Sequence, residues 1–197
     1  MQERSEETRA RILRTAAGLF AQQGYDATGV AEICEAAEVS KGAFYHHYPT
    51  KQALFLELLD SWLAGLDRQF SSAREAAPSV PDALLNMARR TREIFEAADG
   101  GLQIFLEFWA QARKDRQVWQ RSIAPFRTYR KLFASIIQSG IEEGSFRPMD
   151  ADAAALALVS LAVGILLQAV VDAHGERWDQ VMESAVRVFM DGMRRQS

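Results

Sequence analysis

The sequence of 197 residues contains one cysteine, Cys34, only five prolines and only twelve glycines. A single thiol excludes an internal disulfide framework and a cysteine-rich zinc site. The small share of glycine and proline, together with 48% hydrophobic residues, excludes a disordered chain. The N-terminal segment is charged and no uninterrupted apolar run follows it, so we expect a cytoplasmic protein without a signal peptide.

The composition favours α-helix over β-sheet, since alanine occurs 31 times and threonine only 6 times. Apolar residues recur at helical spacing along most of the chain, which predicts an all-α fold of about nine helices. We expect a three-helix helix-turn-helix domain over residues 1–51 and a larger helical domain over residues 52–197. The net charge of −3 does not decide about nucleic-acid binding, because the field that matters is local to the binding face.

Capping residues divide the N-terminal region into helices. Ser5 is expected to cap the first helix, Thr28 the second and Ser40 the third, which ends before Pro49. Thr50 is expected to cap the fourth. Only two or three residues separate the second helix from the third, so the two helices have to cross at a steep angle. This spacing indicates a helix-turn-helix, in which the second helix of the pair presents its N-terminal residues outward.

Residues 40–51 form a short basic segment whose residue types suit DNA. The segment reads Ser-Lys-Gly-Ala-Phe-Tyr-His-His-Tyr-Pro-Thr-Lys and contains no acid. Helix N-termini at Ser40 and Thr50 would present backbone N–H groups to phosphates, while two lysines supply positive charge. Close approach and groove contacts would come from Gly42, Tyr45, His46 and His47. An ordinary capped surface helix is the alternative on these grounds alone.

The same region carries a family resemblance. Residues 27–33, Ala-Thr-Gly-Val-Ala-Glu-Ile, and residues 37–51, which begin Ala-Glu-Val-Ser-Lys-Gly, resemble the signature of TetR-family transcriptional regulators. The specific likeness covers about residues 8–60, and beyond them only the helical layout and the length are similar. The resemblance implies a homodimer whose partners are double-stranded operator DNA and a small-molecule effector.

The resemblance also assigns roles to residues at matching positions. Thr28 would cap the second helix and contact a phosphate, and Lys51 would bind another phosphate at the start of the fourth helix. Phe44 and Tyr48 are expected to pack beneath the DNA-contacting helix. The implied DNA-binding residues are Thr28, Ser40, Lys41, Gly42, Tyr45, His46, His47 and Lys51.

Three residues depart from the usual family pattern. Glu38 stands where the family generally has glycine, and if this turn needs a positive φ, Glu38 costs roughly 1 kcal/mol. Gly29 replaces a frequent serine or threonine, which would remove one phosphate contact. Cys34 replaces a common alanine and is expected to be a small core residue.

Residues 153–171 are apolar except for three small or polar positions that recur every fourth residue. The segment is long enough to span a membrane, but its acidic flanks and its lack of an aromatic belt favour burial, partly by another subunit. We therefore expect no membrane association and half of a four-helix dimer interface, as the resemblance also implies. The expected interface residues are Ser160, Gly164, Trp178, Met182, Ala185 and Phe189.

Aromatic residues crowd the middle of the chain, and a surplus over a plain helical core would line an effector cavity. For each single residue, core packing is the alternative. The expected pocket residues are Trp62, Phe105, Trp109, Tyr129 and Gln168. Helical spacing groups Glu107 with Gln103, Gln111 and Lys114, which predicts a solvent-exposed polar face.

Together these features predict a repressor that binds a palindromic operator as a homodimer and leaves it when an effector shifts the fourth helix. The alternative is a helical small-molecule-binding protein or an enzyme without specific DNA binding. The sequence shows no Ser/His/Asp grouping, glycine-rich phosphate loop or metal-spaced cluster. We therefore expect no enzymatic activity, no cofactor and no metal site.

Overall fold

The computed structural model describes residues 2–96, 101–172 and 175–194. Within these residues every regular element is a helix, which confirms the all-α class and the predicted number of helices. The nine described helices are α1 (Gln2–Gln23), α2 (Val30–Ala36), α3 (Lys41–His47), α4 (Lys51–Glu75), α5 (Val80–Glu96), α6 (Gly101–Ala112), α7 (Arg116–Glu142), α8 (Ala151–Val171) and α9 (Trp178–Met193).

Two of the predicted caps are confirmed. The Ser40 hydroxyl accepts a hydrogen bond from the backbone N–H of Ala43 at 3.1 Å, which starts α3. The Thr50 hydroxyl accepts one from the N–H of Ala53 at 3.0 Å, which starts α4. Each cap satisfies a donor that the first helical turn leaves unpaired, so both helices begin where the sequence indicates.

The other two predicted caps are wrong. α1 already begins at Gln2, so Ser5 lies inside the helix. The N-cap of α2 is Gly29, which has no side chain to offer, and Thr28 is fully buried with its hydroxyl donating to the carbonyl of Gly24 at 2.8 Å. Thr28 therefore closes the turn that leads into α2 and does not cap the helix.

The turn between α2 and α3 uses a left-handed residue. Glu38 has φ 52°, the only positive φ of a non-glycine residue in the described ranges. The N–H of Val39 donates to the carbonyl of Cys34 at 2.9 Å, and the N–H of Glu38 donates to that of Glu35 at 3.1 Å. These bonds satisfy the last carbonyls of α2 and require the reversed backbone, as the family pattern of glycine at this position predicts.

Contacts divide the chain into two compact units. The N-terminal unit comprises Met1–Ala64 with Ala98–Ser122, and the C-terminal unit comprises Gly65–Ala97 with Ile123–Ser197. The predicted boundary after residue 51 does not coincide with this division, because α6 packs against α1. The core of the N-terminal unit includes Ile12, Phe20, Ile33, Phe44 and Phe55, each at most 1% exposed.

In the C-terminal unit, α9 packs against both α5 and α8. Phe146, 1% exposed, follows α7 and lies so close to Gly140 that a Cβ on that glycine would be 2.4 Å from its ring. By length and composition alone, α8 is the one described helix apolar enough to cross a membrane, and core helices of soluble proteins pass the same test. Only 22% of its most apolar window is buried within this chain, so much of α8 presents apolar side chains outward.

Candidate nucleic-acid interface

α3 buries one side and exposes the other. Phe44 is fully buried and Tyr48, directly after the helix, is 2% exposed. Their burial confirms that they pack beneath the helix. The opposite side, which we call the α3 outer face, consists of the exposed residues Lys41, Gly42, Tyr45 and His46. Because α3 has only seven residues, these four lie within about two helical turns of one another on one face.

Polar contacts at Tyr48 join the end of α3 to α1 and α4. The Tyr48 hydroxyl donates to Oε1 of Glu57 at 3.2 Å and to the carbonyl of Arg9 at 3.4 Å. The Arg9 guanidinium donates to Oε2 of the same Glu57 at 2.7 Å. Burial, reinforced by the negative charge of Glu57, raises the pKa of Tyr48 to about 12. Tyr48 is therefore a neutral donor that positions α3.

The two histidines at the end of α3 have different surroundings. Their ring centroids are 5.1 Å apart, and His46 is exposed whereas His47 is half-buried. Burial, followed by the positive charges of His46 and Arg9, lowers the pKa of His47. His47 is accordingly a neutral hydrogen-bonding group near pH 7 in the free protein.

Lys51 does not occupy the position expected of a phosphate ligand. Its Nζ donates to the carbonyls of Tyr25 and Thr28 at 2.7 and 2.8 Å, and it lies 4.2 Å from the centroid of the Tyr25 ring. Burial lowers the pKa of this ammonium group. We therefore assign Lys51 to the loop between α1 and α2 instead of to a phosphate. The hydroxyl of Thr28 is likewise used inside the protein, so neither residue joins the α3 outer face.

The loop between α1 and α2 also makes contacts, which the sequence did not predict, with residues in and just after α6. Glu107 on α6 accepts a hydrogen bond from the N–H of Tyr25 at 3.0 Å, and Gln111 donates to Asp26 at 3.1 Å. Lys114 also pairs with Asp26, and its hydrogen bond lowers the pKa of that carboxyl. The predicted exposed face is therefore wrong for Glu107, which is half-buried, and for Gln111, which is 6% exposed. We call Glu107, Gln111 and Lys114, the three residues that contact this loop, the α6 polar seam.

The predicted pocket residues are divided between the two units. Trp62 packs against the core of the N-terminal unit, and Trp109 in the same unit is 45% exposed. Tyr129 belongs to the C-terminal unit, where its hydroxyl donates to Asp67 at 2.8 Å. Gln168 is exposed on α8 and donates to the carbonyl of Gly164 in its own helix at 3.3 Å. The side chain of Phe105 lies outside the described part of the structure.

A different set of residues surrounds a cavity in the C-terminal unit. Its volume is about 50 Å³, and every lining side chain is apolar. The lining residues are Phe70, Leu84, Met87, Ala88, Phe133, Leu158, Ala162, Met182 and Val186. None of the predicted pocket residues is among them. The periodicity of a helix identifies its apolar face, but it does not show where two packed helices leave a cavity between their apolar faces.

The predicted interface residues divide into two groups. Met182 is 1% exposed and lines the cavity, so the prediction that it faces a second subunit is wrong. The others keep accessible surface on α8 and α9: Ser160 is exposed, and Gly164, Trp178, Ala185 and Phe189 are half-buried. Near them, Leu156, Val171 and Val188 are 50%, 83% and 74% exposed.

Comparison with known proteins agrees with this architecture. The profile of bacterial regulatory proteins of the TetR family matches residues 12–58, and that of the C-terminal part of BetI-type transcriptional repressors matches residues 82–195. The transcriptional repressor KstR2 of Mycobacterium tuberculosis is 30% identical over 147 residues, which cover 73% of this chain and 72% of that protein. The repressor DhaR of Mycobacterium sp. strain GP1 is 28% identical over 88% of both chains.

Solved structures share the fold as well. The fatty acid degradation regulator FadR of Bacillus halodurans superposes with a TM-score of 0.84 at 17% identity, over 96% of this chain and 97% of that chain. The matched profiles together span both the helix-turn-helix and most of the C-terminal unit. The chain therefore belongs to the TetR family and is a DNA-binding transcriptional regulator.

Proposed function

We propose that this protein is a cytoplasmic, ligand-responsive repressor that binds a palindromic operator as a homodimer. It leaves the operator when a small molecule binds to the C-terminal unit. The observation that carries DNA binding is the α3 outer face, where Lys41, Gly42, Tyr45 and His46 are exposed together above the buried Phe44.

The α3 outer face combines three kinds of DNA contact. Lys41 supplies mobile positive charge, which releases counterions from the phosphates. Tyr45, 51% exposed, offers a hydroxyl to a phosphate, and His46 offers ring nitrogens to base edges in the groove. Ser40 and His47 border this face, and both contribute polar atoms at its two ends.

Gly42 is informative because the protein itself leaves room for a side chain there. A Cβ at this position would meet nothing nearer than the Ser40 hydroxyl at 3.7 Å, which is ordinary contact. A methyl group would therefore lie on the exposed α3 outer face, where we place the DNA. We infer that this glycine permits close approach of the duplex.

The test begins with selection of bound duplexes from a random pool, followed by fluorescence anisotropy on the enriched duplex at several salt concentrations. We expect two half-sites related by two-fold symmetry. Gly42→Ala should weaken binding while the protein stays as stable as the wild type or more so, since alanine favours helix. Lys41→Ala should reduce the slope of log K against log salt by about 1.8, at about 0.9 per phosphate contact in each of two protomers.

Two results would overturn the proposal. The first is a folded dimer that enriches no duplex even at low salt. The second is a Gly42→Ala protein that binds the selected duplex as tightly as the wild type. Gly18→Ala is a matched control, because a Cβ at Gly18 in α1 meets nothing within 4 Å and lies away from α3.

The apolar surface of α8 and α9 supports the homodimer. Three large aliphatic side chains there, Leu156, Val171 and Val188, are at least half exposed within the single chain. Apolar patches of this kind mark association surfaces. Dimerisation also doubles the number of base pairs that one short helix reads, which specificity requires.

A further inference from the structure

The apolar cavity of the C-terminal unit has a lining that restricts which molecules it accepts. It lies among side chains from α4, α5, α7, α8 and α9 and has a volume of about 50 Å³. We propose that it is the binding site of an uncharged, apolar effector. This inference rests on the proposed function, because it names the chemical class of the molecule that the repressor senses.

The lining excludes ionic ligands. None of the nine lining side chains carries a charge or a hydrogen-bonding group. Moving an ammonium or a carboxylate into such surroundings without a partner costs far more than burial of an aliphatic group gains. Tyr129, whose ring is 5.8 Å from that of Phe70, turns its hydroxyl to Asp67, so its polar atom is already engaged.

The cavity is adaptable in size. An apolar cavity of about 150 Å³ holds benzene, so a ligand larger than two or three carbon atoms has to displace lining side chains. Met87 and Met182 line the cavity and are 3% and 1% exposed. Methionine is unbranched and has several rotatable bonds, so these two side chains repack around ligands of different shape.

The side of entry follows from burial. Seven lining residues are buried, whereas Phe133 and Ala162 are half-buried. Phe133 also packs edge-on against Phe70, with ring centroids 5.7 Å apart. We infer that a ligand enters beside Phe133 and Ala162, the two lining residues that keep accessible surface.

The test uses the full-length protein without DNA and measures dissociation constants from the concentration dependence of the thermal midpoint. The probes are benzene and the straight-chain alcohols from 1-butanol to 1-octanol, with the alkylammonium and carboxylate of each chain length as charged counterparts. We expect the neutral probes to bind at least tenfold more tightly than their charged counterparts. Within the alcohols, affinity should rise with chain length until the lining side chains can move aside no further.

Variants locate the site. Ala162→Val adds two carbon atoms inside the cavity and should weaken binding of the neutral probes at least tenfold. Ala110→Val makes the same change at an exposed position of α6, in the N-terminal unit, and should leave binding within twofold of the wild type. Phe133→Leu enlarges the cavity and should shift the preferred alcohol to a longer chain, which tests the site even if Ala162→Val does not fold.

Several outcomes overturn the proposal. They are equal binding by wild type and Ala162→Val, equal binding of charged and neutral probes, an unchanged chain-length preference in Phe133→Leu, or no binding of any probe. Because these measurements contain no DNA, they are independent of the operator experiment. Loss of duplex selection alone would contradict the repressor, whereas loss of probe binding alone would contradict only the effector class.

Discussion

Glu38 shows how a single residue departs from its family at a cost in stability. Its backbone has φ 52°, a region where a Cβ is crowded and where glycine is free of that penalty. The turn that it forms sets the angle between α2 and α3 and therefore the orientation of the α3 outer face.

We expect Glu38→Gly to raise the free energy of unfolding by about 1 kcal/mol, because it removes the left-handed strain. Urea denaturation measures the change. Glu35→Gly is the matched control: Glu35 is exposed in α2, where glycine should lower stability by roughly 0.5–1 kcal/mol. The same loss in both variants would show that the positive φ carries no penalty.

A second prediction at this scale concerns Tyr48. Replacing it with phenylalanine removes the donor to Glu57 and Arg9 and should cost about 1 kcal/mol at pH 7. The pKa of Tyr48 is raised to about 12, above its ordinary value of about 10, so its contribution is complete below pH 10 and disappears between pH 10 and 12. The difference in unfolding free energy between wild type and Tyr48→Phe should therefore vanish across that interval. A difference that stays constant from pH 7 to 12 would contradict this assignment.

At the scale of elements, the loop between α1 and α2 is held from two directions. Lys51 at the start of α4 binds its carbonyls, and the α6 polar seam binds the N–H of Tyr25 and the carboxylate of Asp26. Both sets of contacts satisfy loop groups that would otherwise need water. The loop is thereby fixed immediately before α2, the first helix of the DNA-binding pair.

Lys51→Met tests whether this lysine belongs to the loop or to DNA. If it belongs to the loop, unfolding free energy falls by about 1–2 kcal/mol while the salt dependence of operator binding keeps its slope. Lys41→Ala is the comparison, since it should change the slope and leave stability nearly unaltered. If Lys51→Met reduces the slope of log K against log salt by about 1.8, Lys51 contacts a phosphate.

The same elements show which features the sequence predicts well. The caps at Ser40 and Thr50 are local, because donor and acceptor are three residues apart, and the sequence predicts both. Glu107 and Gln111 find partners more than 80 residues away in the chain, at Tyr25 and Asp26. Helical spacing shows that they share a face, but it does not tell whether water or a polar loop covers that face.

At the scale of the whole molecule, α8 and α9 carry apolar surface that a single chain leaves uncovered. The sequence predicts this surface because a helix that is apolar all round needs burial on every side, partly by another subunit. It predicts individual residues less well: Met182 turns inward to the cavity, while Val188 on the same helix is 74% exposed. Which side of α9 meets its own chain depends on α5, far away in sequence.

If α8 and α9 form the proposed homodimer interface, Val188→Glu should convert the dimer to a monomer, because it places a charge among apolar side chains. Sedimentation equilibrium measures the association, and operator affinity should fall with it. Ala110→Glu adds the same charge at an exposed position of α6 and should leave the dimer intact. A Val188→Glu protein that still sediments as a dimer would place the interface elsewhere.

The solitary thiol of the chain offers a measure of motion. Cys34 lies in α2 with 5% of its surface exposed, and burial raises its pKa, so it reacts only when the surrounding helices open. The rate of its alkylation therefore reports how often the helix-turn-helix opens, with no label introduced. Because bound DNA would oppose the opening of the helices around Cys34, a saturating concentration of operator should slow alkylation. An effector that releases the operator should restore the faster rate, so one chemical reaction follows both binding events in real time.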